Sequence, residues 1–252
     1  MFAEVVMASV IDIFDSLPST QLEALSRLRA GLRDPGWVQA RQQTAGVGRM
    51  GRSWAGISGN LMASWYGVLP VELRHVTQLS FVTALAVTDL LRPLVASPDS
   101  LKIKWPNDVL YDGRKLCGIL VQTEALDEGL GIVIGIGINV TDAPDLEAYG
   151  TTALNVITRE PHDAIDLLQH FDPLFTARLG SWQKDGFEAT AQEWLSQAYG
   201  RDRICLINHE NTPVEGTILG LDGFGALRIE DRHGHIHTVS SGSVTYTDTP
   251  CS

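Results

Sequence analysis

Apolar residues at Leu22, Leu25, Leu28 and Leu32 recur at near-helical spacing, and Thr20-Gln21-Leu22-Glu23 has the form of a capping box. The pattern predicts a helix that begins at Ser19 or Thr20, after the apolar opening SVIDIFDSLPST, and ends at Asp34-Pro35-Gly36. WVQAR then reads as a short strand, the residues after it as a loop, and LMASWYGV (61–68) as the next strand. A second helix runs from about Val76 to Leu91 and stops before Pro93. LKIKW and DVLY read as strands, Asp112-Gly113 is a hairpin turn into RKLCGILVQTE, and GIVIGIGINV is a further buried strand. From Pro161 to Tyr199 the pattern is helical again, with Gly200 at its C-terminal end. These elements predict an α+β unit over 1–200, a mixed and largely antiparallel sheet backed by helices. Beyond it RICLIN, PVEGTILGL, GALRIE, IHTVS and SVTYT are closely spaced short strands. They predict a small antiparallel barrel over 201–252, roughly 50 residues and therefore dependent on the first unit for support.

Composition adds that the chain is globular, with 44% hydrophobic and 19% charged residues leaving little room for a disordered tail. A net charge of −11 argues against a nucleic-acid backbone as main partner, since such binding needs surplus Lys and Arg. Cys117, Cys205 and Cys251 are odd in number and far apart, which predicts neither a disulfide framework nor a metal knuckle and suits a reducing cytoplasm. The chain shows no signal-like N-terminus, no apolar run of membrane-spanning length and no internal repeat.

Against this acidic background QTAGVGRMGRSW (43–54) stands out. From Pro35 to Val71 the chain carries Arg41, Arg49 and Arg52 and no Asp or Glu. Gly46, Gly48 and Gly51 permit close backbone approach, so the loop can turn its amides and the two later arginines toward phosphate or carboxylate oxygens; a mobile surface turn is the plainer alternative. It is no Walker A loop, because the required lysine is missing. In KIKWPNDVLYDGRKLCGILVQTE (102–124), Lys102 and Lys104 share one strand face, Pro106 precedes Asn107 and Asp108, and Lys115 enters an apolar strand. A lysine there is costly to bury unless an anion meets it, or else it guards a sheet edge. GIGIN (135–139) lacks the third glycine and the helix start of a dinucleotide fingerprint, and reads as a buried strand ending in Asn139. In DRHGHIHTV, His235 and His237 share a strand face with His233 beside the turn, which a solvated hairpin explains more simply than a metal site.

Together these segments resemble biotin protein ligases. QTAGVGRMGRSW is similar to their glycine- and arginine-rich biotin-binding loop, KWPND and KLCGIL look like two further motifs, and GIGIN follows in the right order. With SLPST upstream the likeness spans nearly the whole chain. No helix-turn-helix precedes Ile11, so the resemblance is to the shorter class, which ligates without binding operator DNA. It implies a class II aminoacyl-tRNA synthetase/biotinyl-lipoyl ligase-like catalytic domain with an SH3-like C-terminal β-barrel. It also implies ATP, biotin and Mg²⁺ as reactants or cofactors and a biotin carboxyl carrier protein as partner. The enzyme would be cytoplasmic, a monomer or homodimer, with neither nucleic acid nor membrane as a partner.

By motif position, the resemblance assigns Lys115 to the biotin carboxylate and α-phosphate and Arg49 to retention of the adenylate. Asp108 would position or deprotonate the carrier lysine. Arg52 would favour the ATP phosphates, Trp54 would pack on adenine, Asn139 would sit near the adenine edge, and Lys104 and Asn107 near the phosphates and metal. Ser19, Thr20, Gln21 and Gln43 would meet the biotin head group, beside Gly46, Val47, Gly48 and a close approach at Gly118. Two departures stand out: Val47 replaces an arginine in the usual GRGR, and Gln21 replaces the asparagine of Ser-Thr-Asn. A lipoate or octanoate ligase on a related fold and a non-catalytic biotin-binding paralogue are the competing readings.

Overall fold

In the computed structural model, residues 9–127, 129–145, 150–209 and 212–250 are described. The first seven strands are β1 (Val10–Phe14), β2 (Gly36–Ala40), β3 (Leu61–Leu69), β4 (Leu101–Lys104), β5 (Asp108–Tyr111), β6 (Arg114–Leu126) and β7 (Gly129–Ile138). They form one sheet in the order β1-β2-β3-β7-β6-β5-β4, in which only β1 and β2 run parallel. The expected hairpin between β5 and β6 is present, with Asp112 at φ 48° and Gly113 at φ 72°, the left-handed pair that a tight turn requires.

Alternation divides the central strands between two faces. Leu61, Ala63, Trp65 and Leu69 of β3, Cys117 and Ile119 of β6, and Ile132, Ile134, Ile136 and Ile138 of β7 enter the main core. That core is shared with α2 (Gln78–Leu91) and α4 (Ala164–Asp185). Nearly every residue of α2 is buried, so this helix is apolar all round and lies between sheet and helices rather than on the surface. The opposite face carries Tyr66 and Val133, covered by Ala24, Leu25 and Leu28 of α1 (Thr20–Arg29).

Several expectations need correction. No capping box forms at α1, because Thr20 Oγ1 is engaged by Gln43 and Ser64 while Glu23 binds Arg27. The helix ends near Ala30, short of Asp34, and Leu22 and Leu32 are about half exposed, so only Leu25 and Leu28 of that row reach the core. The opening segment supplies the parallel edge strand β1, and α3 (Leu154–Thr158) was not legible from periodicity. The C-terminal helical stretch breaks at Gly186 (φ 83°) into α4 and α5 (Glu188–Gln197), and Gly200 lies in a later turn.

The last five strands, β8 (Arg203–His209), β9 (Thr212–Leu221), β10 (Leu227–Glu230), β11 (Ile236–Val239) and β12 (Ser243–Pro250), form a separate antiparallel sheet in the order β11-β10-β9-β8-β12. No ladder joins β11 to β12 among the described residues, so the unit is consistent with an SH3-like fold but is not a closed barrel. It leans on the helices: Gln78 Nε2 donates to Gly223 O at 2.7 Å, Trp182 Nε1 donates to Gln78 Oε1 at 2.7 Å, and Phe224 stacks on His75. The histidine hairpin is organised by Asp231, which accepts the N–H groups of His233 (2.8 Å) and His235 (3.0 Å) and lies 2.9 Å from His237 Nε2. The contact with His237 is the largest influence holding the Asp231 carboxyl below its ordinary range. Among the described residues Cys117 and Cys205 are buried and free; Cys251 lies outside them. No described helix is long and apolar enough to cross a membrane.

One buried carboxylate ties Ser9, just ahead of β1, to this core. Asp172 of α4 accepts from Trp37 Nε1 (2.7 Å), Ser9 Oγ (2.8 Å) and Ser9 N–H (3.1 Å). Asp172→Ala strands these donors in a nearly dry site, and the expected loss is about 1–3 kcal/mol, read as a lower urea midpoint with an unchanged m-value.

Candidate active site

The face of the sheet that α1 leaves uncovered floors a cavity of about 730 Å³, a size suited to a small molecule. Its floor is built from what β6 and β7 lack. A methyl group at Gly137 would stand 2.3 Å from the Trp54 ring, one at Gly118 would stand 2.9 Å from it, and one at Gly135 would stand 2.4 Å from Gln21 Oε1. Gly118 pairs with Gly137 and Leu120 with Gly135. The Trp54 end and the Gln21 end are therefore two residues apart along the strands, about 7 Å.

The Gln21 end is a closed polar network at the N-terminus of α1. Gln43 Oε1 accepts from Thr20 N–H (2.7 Å), Thr20 Oγ1 and Ser64 Oγ lie 2.9 Å apart, and Ser64 donates to Gln21 Oε1 at 3.1 Å. The Gln21 amide also reaches the carbonyls of Val133 (3.4 Å) and Leu120 (3.5 Å). The longer Gln21 side chain thus fits because Gly135 leaves space for it. Ser19 Oγ is buried here without a hydrogen-bond partner among the described residues, a group whose desolvation a polar ligand would relieve.

Over the other end folds the segment 46–54, a small hairpin in which Gly48 N–H donates to Arg52 O (2.7 Å) and Trp54 N–H to Gly46 O (2.9 Å). Its tip turns through Met50 (φ 54°) and Gly51 (φ 73°). Gly46 is pressed against Gln43 Nε2 and the Trp54 carbonyl, which leaves no room for a side chain. Arg49 Nη1 donates to Asn107 Oδ1 (3.0 Å), whose Nδ2 holds Ile119 O (2.8 Å), so the loop arginine is tied to the sheet. Burial pushes the Arg49 guanidinium below its ordinary value, with the Asp108 charge opposing and Arg52 adding to the fall.

Between these ends lies an ion pair. Lys115 Nζ is 2.8 Å from Asp108 Oδ1 and 5.5 Å from the centre of the Trp54 ring. Lys104 faces Asp108 across the β4–β5 ladder, and burial lowers its pKa, with Asp108 opposing and Lys115 and Arg52 contributing. Asn139 Nδ2 donates to Thr152 O (3.2 Å) and Lys115 O (3.4 Å), which joins the end of β7 to the start of β6.

Of the residues singled out in the sequence, Ser19, Thr20, Gln21, Gln43, Val47, Gly48, Arg49, Arg52, Trp54, Asn107, Asp108, Lys115, Gly118 and Asn139 all line this one cavity. Gly46 backs its loop, Lys104 lies outside the lining, and Arg41 turns away to Asp15 at 3.6 Å. Sequence reading missed Ser64, whose polar character between Met62 and Tyr66 was its signal, and Gly242 and Ser243, for which no local signal exists. Among the described residues no group of three or more His, Cys, Asp or Glu could hold a metal ion.

Two family models match the chain: the Biotin/lipoate A/B protein ligase family over residues 13–139 and the Biotin protein ligase C terminal domain over 202–245. The Biotin--[acetyl-CoA-carboxylase] ligase of Paracoccus denitrificans is 35% identical over 216 residues, covering 83% of this chain and 89% of its own. Its counterpart in Mycobacterium tuberculosis is 31% identical over 244 residues, 94% and 88% of the two chains. The structure of biotin protein ligase from Aquifex aeolicus in complex with biotin and ATP aligns with a TM-score of 0.78 at 26% identity, over 95% of this chain and 99% of that one.

The cavity floor is directly testable. Gly137→Ala should expel the Trp54 ring, shifting tryptophan emission to longer wavelength with an unchanged far-UV spectrum, and a Trp54→Phe background should abolish the shift.

Proposed function

The chain belongs to the biotin/lipoate A/B protein ligase family and is a biotin protein ligase, and on that premise we propose how its cavity performs the two steps of ligation. Biotin and ATP are its ligands, and a biotin carrier of a carboxylase is its protein substrate. In the first step the biotin carboxylate attacks the α-phosphorus of ATP, giving biotinyl-5′-AMP and pyrophosphate. In the second the ε-amine of a carrier lysine attacks the biotinyl carbonyl and AMP leaves.

The observation that carries the assignment is the Lys115–Asp108 pair, 2.8 Å apart, on a floor that joins a closed polar end to an arginine-bearing end. Ser19, Thr20, Gln21 and Gln43 form the polar end and take the ureido head group, whose carbonyl and N–H groups need both donors and acceptors. Two anions must then meet. Lys115, fixed by Asp108, offsets their repulsion at the reacting atoms, and Arg49, Arg52 and Lys104 serve the phosphates. Trp54 covers the purine with Asn139 near its edge, while the 46–54 hairpin keeps water from the mixed anhydride. Val47 leaves this lid without one guanidinium of the GRGR pattern that the resemblance implies. Asp108 is the acceptor nearest Lys115 and would face the incoming carrier amine in the second step.

Among the described residues there is no carboxylate cage, and Asn107 and Asp108 are the oxygen donors that would help hold a Mg²⁺ arriving with ATP. When bound it neutralises phosphate charge. The match of the last sheet to a biotin-ligase domain supports biotin over lipoate as substrate. We take the cytoplasm as the site of reaction, where ATP and the carrier are at hand.

Lys115→Ala should lower biotin-dependent exchange of pyrophosphate into ATP by at least about a hundredfold with the far-UV spectrum intact. Exchange at the wild-type rate would sink the role of Lys115. Ser64→Ala removes the donor that fixes Gln21, and the expected result is a roughly fivefold to tenfold rise in KM for biotin with KM for ATP unchanged.

A further inference from the structure

Gly242 and Ser243, where β12 begins, line the catalytic cavity although every other described lining residue belongs to the first sheet, its helices or its loops. Three residues on, the ring of Tyr246 lies 5.9 Å from Lys104 Nζ. We propose that Tyr246 is a positioning residue for the nucleotide half of the reaction, its ring holding the Lys104 ammonium toward the phosphates while Gly242 and Ser243 close that side of the cavity.

The ring is held from several directions. Tyr199 meets it edge-on at 5.0 Å, and Gly200, at φ 74°, lies so close that an added methyl group would stand 2.0 Å from it. Tyr199 N–H donates to Ile103 O at 2.9 Å, the residue just before Lys104, and Ile103 also bridges Ala198. The seat of the ring and the backbone of Lys104 are therefore one connected piece. Tyr246 Oη is buried without a hydrogen-bond partner among the described residues, so the aromatic face, rather than the hydroxyl, is the useful part of the side chain. An ammonium that burial disfavours gains from an adjacent π-face, and more so as water is excluded. The C-terminal sheet thereby becomes part of the ATP site instead of a remote appendage.

This inference rests on the reading that the cavity takes ATP. The test is biotin-dependent pyrophosphate exchange with the full chain, yielding KM for ATP and for biotin separately. Tyr246→Leu should raise KM for ATP by roughly two- to thirtyfold and leave KM for biotin and the biotin-dependent thermal shift at wild-type values. Tyr246→Phe should restore KM for ATP, because it keeps the ring and drops only the unpartnered hydroxyl. In a Lys104→Ala background Tyr246→Leu should have no further effect. Equal losses for biotin and ATP, failure of Tyr246→Phe to restore, or an undiminished effect without Lys104 would each overturn the assignment. A wild-type chain without exchange would instead overturn the ligase reading, and this inference with it.

Discussion

The constraint on which the site depends is steric: where β6 and β7 floor the cavity, three positions on one face can carry no side chain. Gly118, Gly135 and Gly137 leave a flat backbone floor, and the space above it is filled by Trp54 from the loop and Gln21 from α1. The opposite face of the same strands is packed with Ile119, Ile132, Ile134, Ile136 and Ile138. β-branched packing on one side supports the open floor on the other, since strand glycines cost backbone entropy that a well-packed opposite face can offset.

Charge is arranged to suit that floor. A chain with a net charge of −11 keeps acidic residues out of 35–71 and directs Arg49 and Arg52 into the cavity. The Lys115–Asp108 pair is mostly buried, and such a pair is a poor source of stability because desolvation cancels much of its attraction. Its value lies in geometry. An anion entering the cavity can share Lys115 without having to organise it, the preorganisation that electrostatic catalysis requires. The same reasoning explains why Asn107 is occupied on both sides, by Arg49 and by the Ile119 carbonyl: the loop cation and the sheet share a single frame.

Much of this was legible in the chain. The strands from β2 onward, α2 and the β5–β6 turn followed from period and turn chemistry, and the resemblance of three ordered motifs pointed to fourteen residues that the fold brings to one cavity. What was misread shares a physical cause. Thr20 and Glu23 have the letters of a capping box, but Gln43, Ser64 and Arg27 offer their side chains better partners than the helix N-terminus does. Leu22 and Leu32 sit on an apolar row, yet α1 meets the sheet only along Ala24, Leu25 and Leu28. The last five strands were read correctly as a small antiparallel unit consistent with an SH3-like fold; spacing alone carried no information on whether its edge strands join.

By itself the sequence determined the local elements, the identity of the chemical groups and, through motif order, the family to which they belong. Only the tertiary structure decided which groups meet: that Gln21 is held by Ser64 above Gly135, that Arg41 leaves the cavity while Arg49 enters it, and that Gly242, Ser243 and Tyr246 come from the far end of the chain to the edge of the site. Periodicity is a property of neighbours a few residues apart and can be read from letters. Contacts between residues more than a hundred positions apart depend on how whole layers pack, and that is settled only when every face has found its partner.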